Sequence, residues 1–203
     1  MVCLTKTVSD TVFRRALPAP LLVVVTGPPA AGKTTFARAL AAHTGLPLLE
    51  KDGIKELLFD ALGSGGRERS RALGRATFPI LYDTAGRMLR GGSSLIIEAN
   101  FVAGTAEREL RGLPPCHVLQ IVLTARASVL LERFNDRLAT GGRHPGHHQD
   151  FVTELSEVED GLMKGRWTRL DLPGETIELD TSNGADPYPI LQRVASALDP
   201  GER

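Results

Sequence analysis

Residues 27–34 read Gly-Pro-Pro-Ala-Ala-Gly-Lys-Thr, two glycines five positions apart with a lysine and a threonine directly after the second. Glycine admits backbone angles that a side chain forbids, so a loop of this kind can turn its N–H groups inward around a phosphate. Lys33 then reaches the β- and γ-phosphates of a nucleoside triphosphate, and the Thr34 hydroxyl holds Mg²⁺. We read Gly27, Pro28, Pro29, Ala30, Ala31, Gly32, Lys33, Thr34 and Thr35 as this cradle. Such a cradle works only between a strand and a helix N-terminus, whose dipole adds partial positive charge. The β-branched run 21–25 before it and the helical run 35–42 after it meet that demand.

Other candidates follow apolar runs. Asp52 comes after the run 47–50 and opens a helical pattern; its carboxylate can take a proton from an acceptor hydroxyl, or it can simply cap the helix. Glu98 ends Leu95-Ile96-Ile97-Glu98, an acid placed to act on Mg²⁺ through water, and Asn100 two residues on can hydrogen-bond an acceptor. Arg126, Arg133 and Arg137 share a helix face at spacings of seven and four, beside an apolar stripe of Leu130, Phe134 and Leu138. Guanidinium groups pair bidentately with phosphate oxygens, so Arg133 and Arg137 are read as charge-neutralising groups for transfer. The loop 141–148 adds Arg143 between glycines, together with His144, His147 and His148; we read about 133–148 as a lid, with a metal site the lesser alternative. Arg67, Arg69, Arg71 and Arg75 are either a solvated helix face or the lining of a groove, with Arg75 the acceptor-side candidate. The loop 179–183 is read as a border for the nucleotide base or as a plain turn.

These residues need a frame. Apolar runs at 21–26, 47–50, 94–99, 118–123 and 176–180 alternate with helical stretches, which predicts a parallel sheet covered on both faces. In the long segment 53–90, broken at 63–66, Phe78, Leu81, Tyr82, Ala85, Met88 and Leu89 recur at helical spacing and are expected in the core. Thr105 is expected to cap the helix that follows it. Ligands of open parallel sheets bind at the carboxyl ends of the strands, where most of the candidates fall.

The chain has 203 residues, enough for one α/β domain. We expect an N-terminal extension over 1–19 and one domain over 20–199. Lys+Arg and Asp+Glu balance at 24 each, which disfavours a long polynucleotide partner while leaving room for a local patch. Cys3 and Cys116 form no framework and suit a reducing cytoplasm, and no apolar run approaches the ~20 residues of a membrane span.

The cradle, Asp52, the Leu-Ile-Ile-Glu-Ala-Asn run, Arg133 with Arg137, and Arg143-His144-Pro145-Gly146-His147 follow one another in an order that resembles the small P-loop kinases known as predicted kinases or AAA-type ATP-binding proteins. That group is similar to polynucleotide 5′-hydroxyl kinase, gluconate kinase, chloramphenicol phosphotransferase and the zeta-toxin kinases. The resemblance implies a three-layer P-loop NTPase sandwich with a five-stranded parallel sheet in order 2-3-1-4-5, a helical lid bearing arginines, and ATP·Mg²⁺-dependent transfer to a hydroxyl. It also implies a general base at Asp52. Where the polynucleotide branch usually has an arginine soon after that base, this chain has Ile54-Lys55. The expectation is an ATP-dependent kinase of a small-molecule hydroxyl, with a polynucleotide or nucleotide kinase and a non-kinase NTP-binding switch as alternatives.

Overall fold

The computed structural model describes residues 19–63, 65–139, 144, 151–184 and 186–198. The expectations for 1–18, for Arg143 and for His147 and His148 therefore lie outside the described residues.

Five strands, β1 (Leu21–Thr26), β2 (Leu48–Glu50), β3 (Leu95–Glu98), β4 (His117–Thr124) and β5 (Glu175–Asp180), pair in parallel in the order β2-β3-β1-β4-β5. Seven helices connect or flank them among the described residues: α1 (Lys33–Thr44), α2 (Lys51–Leu62), α3 (Arg67–Arg90), α4 (Glu107–Arg111), α5 (Ala127–Ala139), α6 (Phe151–Met163) and α7 (Tyr188–Leu198). This is the sheet and the strand order that the sequence and its resemblance imply.

The period-2 alternation of β1 builds the layers. Val23 and Val25 join Phe36, Leu40, Ile190 and Val194 in a core under α1 and α7. Leu22 and Val24 join Leu81, Ala85, Leu89, Phe101 and Leu170 in a second core on the opposite face, under α3 and α4. Phe78, Tyr82 and Met88 pack at the margin of that second core, so the helical stripe expected in 53–90 faces inward as read. The sheet runs hydrophobic on both faces in its centre and half-exposed only at the β2 and β5 edges.

Thr105 is not a cap: α4 starts after Ala106, which has no side-chain cap bond. The acid one residue on does the work instead, because Glu107 Oε1 accepts the Gly104 N–H at 2.9 Å and the Asp171 N–H at 3.3 Å. That carboxylate ties the loop after β3 to the segment before β5. Gly91 and Gly92 end α3, with Gly92 at φ 80°, where glycine escapes the steric cost of a Cβ.

Candidate functional site

Register places the chemistry. Val25 pairs with Glu98 and Glu98 with Glu50, so the carboxyl ends of β1, β3 and β2 lie level, with the loop after β1 rising between them. That loop is held by backbone geometry. Gly27 sits at φ 140°, and a Cβ there would lie 2.2 Å from the Leu123 carbonyl oxygen of β4, so only glycine permits the approach. Gly32 caps α1 at φ 86° with nothing within 4 Å of a built Cβ; here the backbone angle, not crowding, calls for glycine. Ala30 is the one non-glycine residue at positive φ among the described residues, at 64°. Its methyl packs with Phe134 of α5 and Val158 of α6, which compensates a conformation that costs on the order of 1 kcal/mol.

Lys33 is 8% exposed and donates to the Pro28 carbonyl at 2.8 Å, across its own loop. Burial pushes its pKa down to about 8; Glu98 and Asp52 work against that, while Arg137 and Lys51 add to it. Glu98 is 4% exposed and accepts the Thr34 hydroxyl at 3.4 Å. Burial pushes its carboxyl up to about 7, opposed by Lys33 and reinforced by Asp52 and Glu50. Glu50 itself grips Arg38 through two bonds, Nε to Oε1 at 2.7 Å and Nη2 to Oε2 at 3.1 Å. A hydroxyl and a carboxylate oxygen side by side, next to a buried ammonium, are the hard oxygen donors that a Mg²⁺ ion takes and the cation that a phosphate takes. Thr34, Glu98 and Lys33 fit Mg²⁺ and a triphosphate.

These groups line one cleft of about 660 Å³. Its floor is Pro29, Ala30, Gly32, Lys33, Thr34 and Thr35, with Glu98, Ala99 and Asn100 from the end of β3. One wall is Lys51, Asp52, Lys55 and Ser70 from α2 and α3; the other is Phe134 and Arg137 from α5, Ser156, Glu157, Val158 and Asp160 from α6, and Arg166 with Trp167 beyond it. Asp52 is in the first turn of α2, one residue past the N-terminal position, with Glu50 as the N-cap, so it is not itself the cap. Lys51 Nζ meets Asp52 Oδ1 at 2.8 Å.

The arginines divide. Arg137 lines the cleft. Arg133, one turn earlier, donates instead to Thr181 at the end of β5, through Nη1 to Oγ1 at 3.1 Å and Nη2 to the carbonyl at 2.7 Å. Arg126 joins it there, its backbone N–H on Ser182 Oγ and its guanidinium on Asn183 Oδ1. Thr181 also bonds the Thr124 carbonyl and, at 3.3 Å, the Ala31 carbonyl of the cradle. The loop after β5 is thus stitched to the phosphate loop. Arg69 turns back onto the carbonyls of Leu62 and Gly63, and Arg67 and Arg71 reach Glu157 of α6. Arg75 sits on the exposed face of α3 and is not among the residues that line the cleft. His144 stacks on Phe59 with ring centroids 5.8 Å apart and bonds Asp60 at 3.0 Å, both on α2. Among the described residues no group of three or more His, Cys, Asp or Glu is placed to hold a metal.

Sequence reasoning missed Lys51, Lys55 and the whole α6 wall with Trp167. Lys51 was legible as the neighbour of Asp52. Glu157, Asp160 and Trp167 carry no motif, and only the packing of α6 on α5 brings them to the cleft.

A parallel sheet in this order, a glycine-gated phosphate loop after β1, and a lysine, threonine and carboxylate set at its mouth define a P-loop kinase-type fold. Residues 22–155 match the AAA domain family AAA_33, and the chain belongs to that family. It is 39% identical to a candidate kinase from Chloroflexus aurantiacus whose crystal structure it matches with a TM-score of 0.80 over 89% of this chain and 100% of that one. A gluconokinase from Sinorhizobium meliloti shares the fold at 20% identity, TM-score 0.51, over 91% of this chain and 97% of that one. Over 118 residues, 55% of this chain, it is 33% identical to adenylate kinase 8 of Rattus norvegicus, of whose length it spans only 24%.

Proposed function

We propose that the protein is an ATP-dependent phosphotransferase that moves the γ-phosphate to a hydroxyl of a small molecule. What carries the reading is the meeting, in one cleft, of Asp52 from α2 with Lys33, Thr34 and Glu98 from the phosphate loop and β3. A switch needs the loop alone; a carboxylate on the wall beside the phosphate cradle gives an acceptor hydroxyl a proton acceptor.

In this reading Lys33 leaves the Pro28 carbonyl to hold the β- and γ-phosphates, and Arg137 neutralises charge gathering on the transferred group. Mg²⁺, held by the Thr34 hydroxyl and by Glu98 through water, would supply charge neutralisation on the same phosphates. Asp52 accepts the proton of the attacking hydroxyl, and Asn100 orients the acceptor. Arg133, bonded to Thr181, works by fixing α5 so that Arg137 is presented to the cleft. The acceptor enters from the side of α2, α3 and α6. The likeness to adenylate kinase 8 favours a second reading, transfer to a nucleotide phosphate, in which Asp52 has no proton to take.

The experiment is ATP consumption by purified protein with Mg²⁺ across polyols, sugar acids, nucleosides, nucleoside monophosphates, aminoglycosides and 5′-hydroxyl oligonucleotides, with Lys33→Ala as control. Turnover stimulated by one hydroxyl-bearing class and lost in the control supports the proposal. Stimulation by nucleoside monophosphates alone moves the reading to a nucleotide kinase. Nucleotide binding with no acceptor-stimulated turnover overturns both.

A further inference from the structure

Between α6 and β5, residues 164–172 run through turns and extended chain, and buried polar groups of the core hold them in place. Gln120, in the middle of β4 and 1% exposed, accepts the Leu170 N–H at 2.7 Å through its carbonyl and donates to the Leu170 carbonyl at 3.1 Å through its amide. Glu107, also buried, accepts the Asp171 N–H. The Arg166 N–H bonds the Gly161 carbonyl, and the Arg166 carbonyl accepts the Ala103 N–H, both at 2.9 Å. At Gly161 the missing Cβ leaves the place that the six-membered ring of Trp167 takes.

Folding alone does not ask for this arrangement. A buried amide or carboxylate costs stability unless its polar atoms are bonded, whereas an apolar side chain in the same place needs no partner. The Trp167 indole N–H is buried and has no partner, where a phenyl ring would strand no donor. What the anchoring delivers is two side chains in the cleft. Of residues 164–172, Arg166 and Trp167 line it, beside Asp160 of α6. All three lie beyond residues 22–155, so the family match does not prescribe them.

Their chemistry is mixed. Arg166 Nη2 donates to Asp160 Oδ2 at 2.7 Å, and among the described residues its other guanidinium N–H groups have no partner. Asp160 takes Lys164 Nζ on its other oxygen at 2.6 Å, so it keeps a cation when Arg166 turns away. A guanidinium holds more donors, and a carboxylate more lone pairs, than these bonds use, so donors and acceptors stand side by side. A hydroxyl both donates and accepts, and two neighbouring hydroxyls on a ring match such a pair. An anion on Arg166 meets the charge of Asp160 and is repelled. The indole beside them offers a flat apolar partner to the C–H face of a ring.

We propose that Asp160, Arg166 and Trp167 recognise an uncharged sugar ring on the acceptor, with vicinal hydroxyls bonded by Arg166 and Asp160 and a C–H face against the indole. The inference rests on the kinase reading for the word acceptor and narrows it to a cyclic sugar, free or as the ribose of a nucleoside. An open-chain polyol carries similar hydroxyls, but it has no flat face and loses more rotamer freedom on binding. A wall fixed in advance by Gln120 and Glu107 therefore favours the ring.

Calorimetry reads binding directly, so the test stands apart from turnover. Methyl β-D-glucopyranoside, methyl β-D-galactopyranoside, methyl α-D-mannopyranoside, uridine, D-sorbitol and D-gluconate are titrated separately into the protein saturated with Mg·ADP. The expected result is saturable binding of at least one ring compound, roughly tenfold or more tighter than sorbitol and gluconate. A pyranoside names a free sugar as the source of the ring, and uridine names a nucleoside. Arg166→Gln and Trp167→Leu each weaken that binding roughly tenfold. Asp160→Asn weakens it while tightening gluconate, a reversal that a merely structural role does not produce. If Trp167→Leu is poorly folded by circular dichroism, Arg166→Gln decides, because that side chain is 43% exposed. No ring compound bound, equal affinity for sorbitol or gluconate, or ring affinity unmoved by Arg166→Gln and Asp160→Asn overturns the inference. Ring binding that passes while no acceptor is phosphorylated leaves the site standing and sinks the kinase reading alone. Turnover of open-chain alcohols without ring binding does the reverse.

Discussion

Lys33 and Glu98 share one buried corner with opposite charges, and burial pushes each toward neutrality, to about 8 and about 7. The signs give two consequences. Glu98 keeps its proton longer in the folded state than unfolded, so it costs stability progressively as pH rises from its ordinary 4.5 through about 7. Lys33 loses its proton more easily when folded, so its cost is full below about 8 and is relieved as pH climbs toward 10.5. The ligand-free protein is therefore least favoured between about 7 and 8, the window in which both groups are charged. Mg·ADP affinity, measured by calorimetry from pH 5.5 to 9.5, is expected to peak in that window. Glu98→Gln is expected to remove the limb below 7 and to weaken Mg²⁺-dependent binding. It also raises stability at pH 7.5 by on the order of 1–3 kcal/mol, from ~1.4 kcal/mol per pKa unit, with little gain at pH 4.5. An acid limb that survives in Glu98→Gln assigns it to another group. Asp52→Asn is expected to lower turnover ~10²-fold with ATP affinity nearly intact, the mark of a lost proton acceptor; unchanged turnover returns Asp52 to an ordinary first-turn acid.

At the scale of elements, two glycines set how closely parts of the fold meet. Gly27 lets the phosphate loop lie against the β4 backbone, and Gly161 lets Trp167 lie against α6, where a Cβ would be 2.4 Å from the indole. Gly27→Ala drives a methyl into a carbonyl that cannot yield, and it is expected to cost more than ~3 kcal/mol or to abolish folding. Gly161→Ala meets a side chain, which can move: the expected cost is ~1–3 kcal/mol, with a shifted Trp167 emission maximum as the indole is displaced. An unshifted emission with unchanged stability contradicts the close packing of α6 on Trp167. Strands and the inward stripe of α3 were legible because apolar residues alternate or recur with the period of the element. The wall built by α6 was not, because Glu157 and Asp160 look like any solvated acids until α5 and α6 are packed together. Arg133 and Arg137 show the limit within one helix: the spacing puts them on one face, yet one turn of rise separates a residue at the cleft from one bonded to Thr181.

For the whole molecule, nucleotide binding and folding are linked, since the cradle exists only in the folded sheet. Mg·ADP at one hundred times its dissociation constant is expected to stabilise the protein by ~2.7 kcal/mol, visible as a raised Tm, and Lys33→Ala is expected to lose most of that rise. A Tm that rises equally in Lys33→Ala places the nucleotide elsewhere. The sheet order followed from the resemblance rather than from periodicity, because which strand neighbours which depends on crossovers that local pattern does not encode. The walls of the cleft stayed illegible for a related reason: they are assembled from segments far apart in the chain, such as Lys51 with Lys55 and Ser156 with Asp160. Ala30 draws these distances together. Its methyl is wedged between Phe134 and Val158 while its own backbone belongs to the phosphate loop. In a close-packed interior α5 and α6 cannot shift relative to the sheet without either dragging that methyl along or opening a void around it. The phosphate loop is thus geared, through a single carbon atom, to the two helices that wall the far side of the cleft.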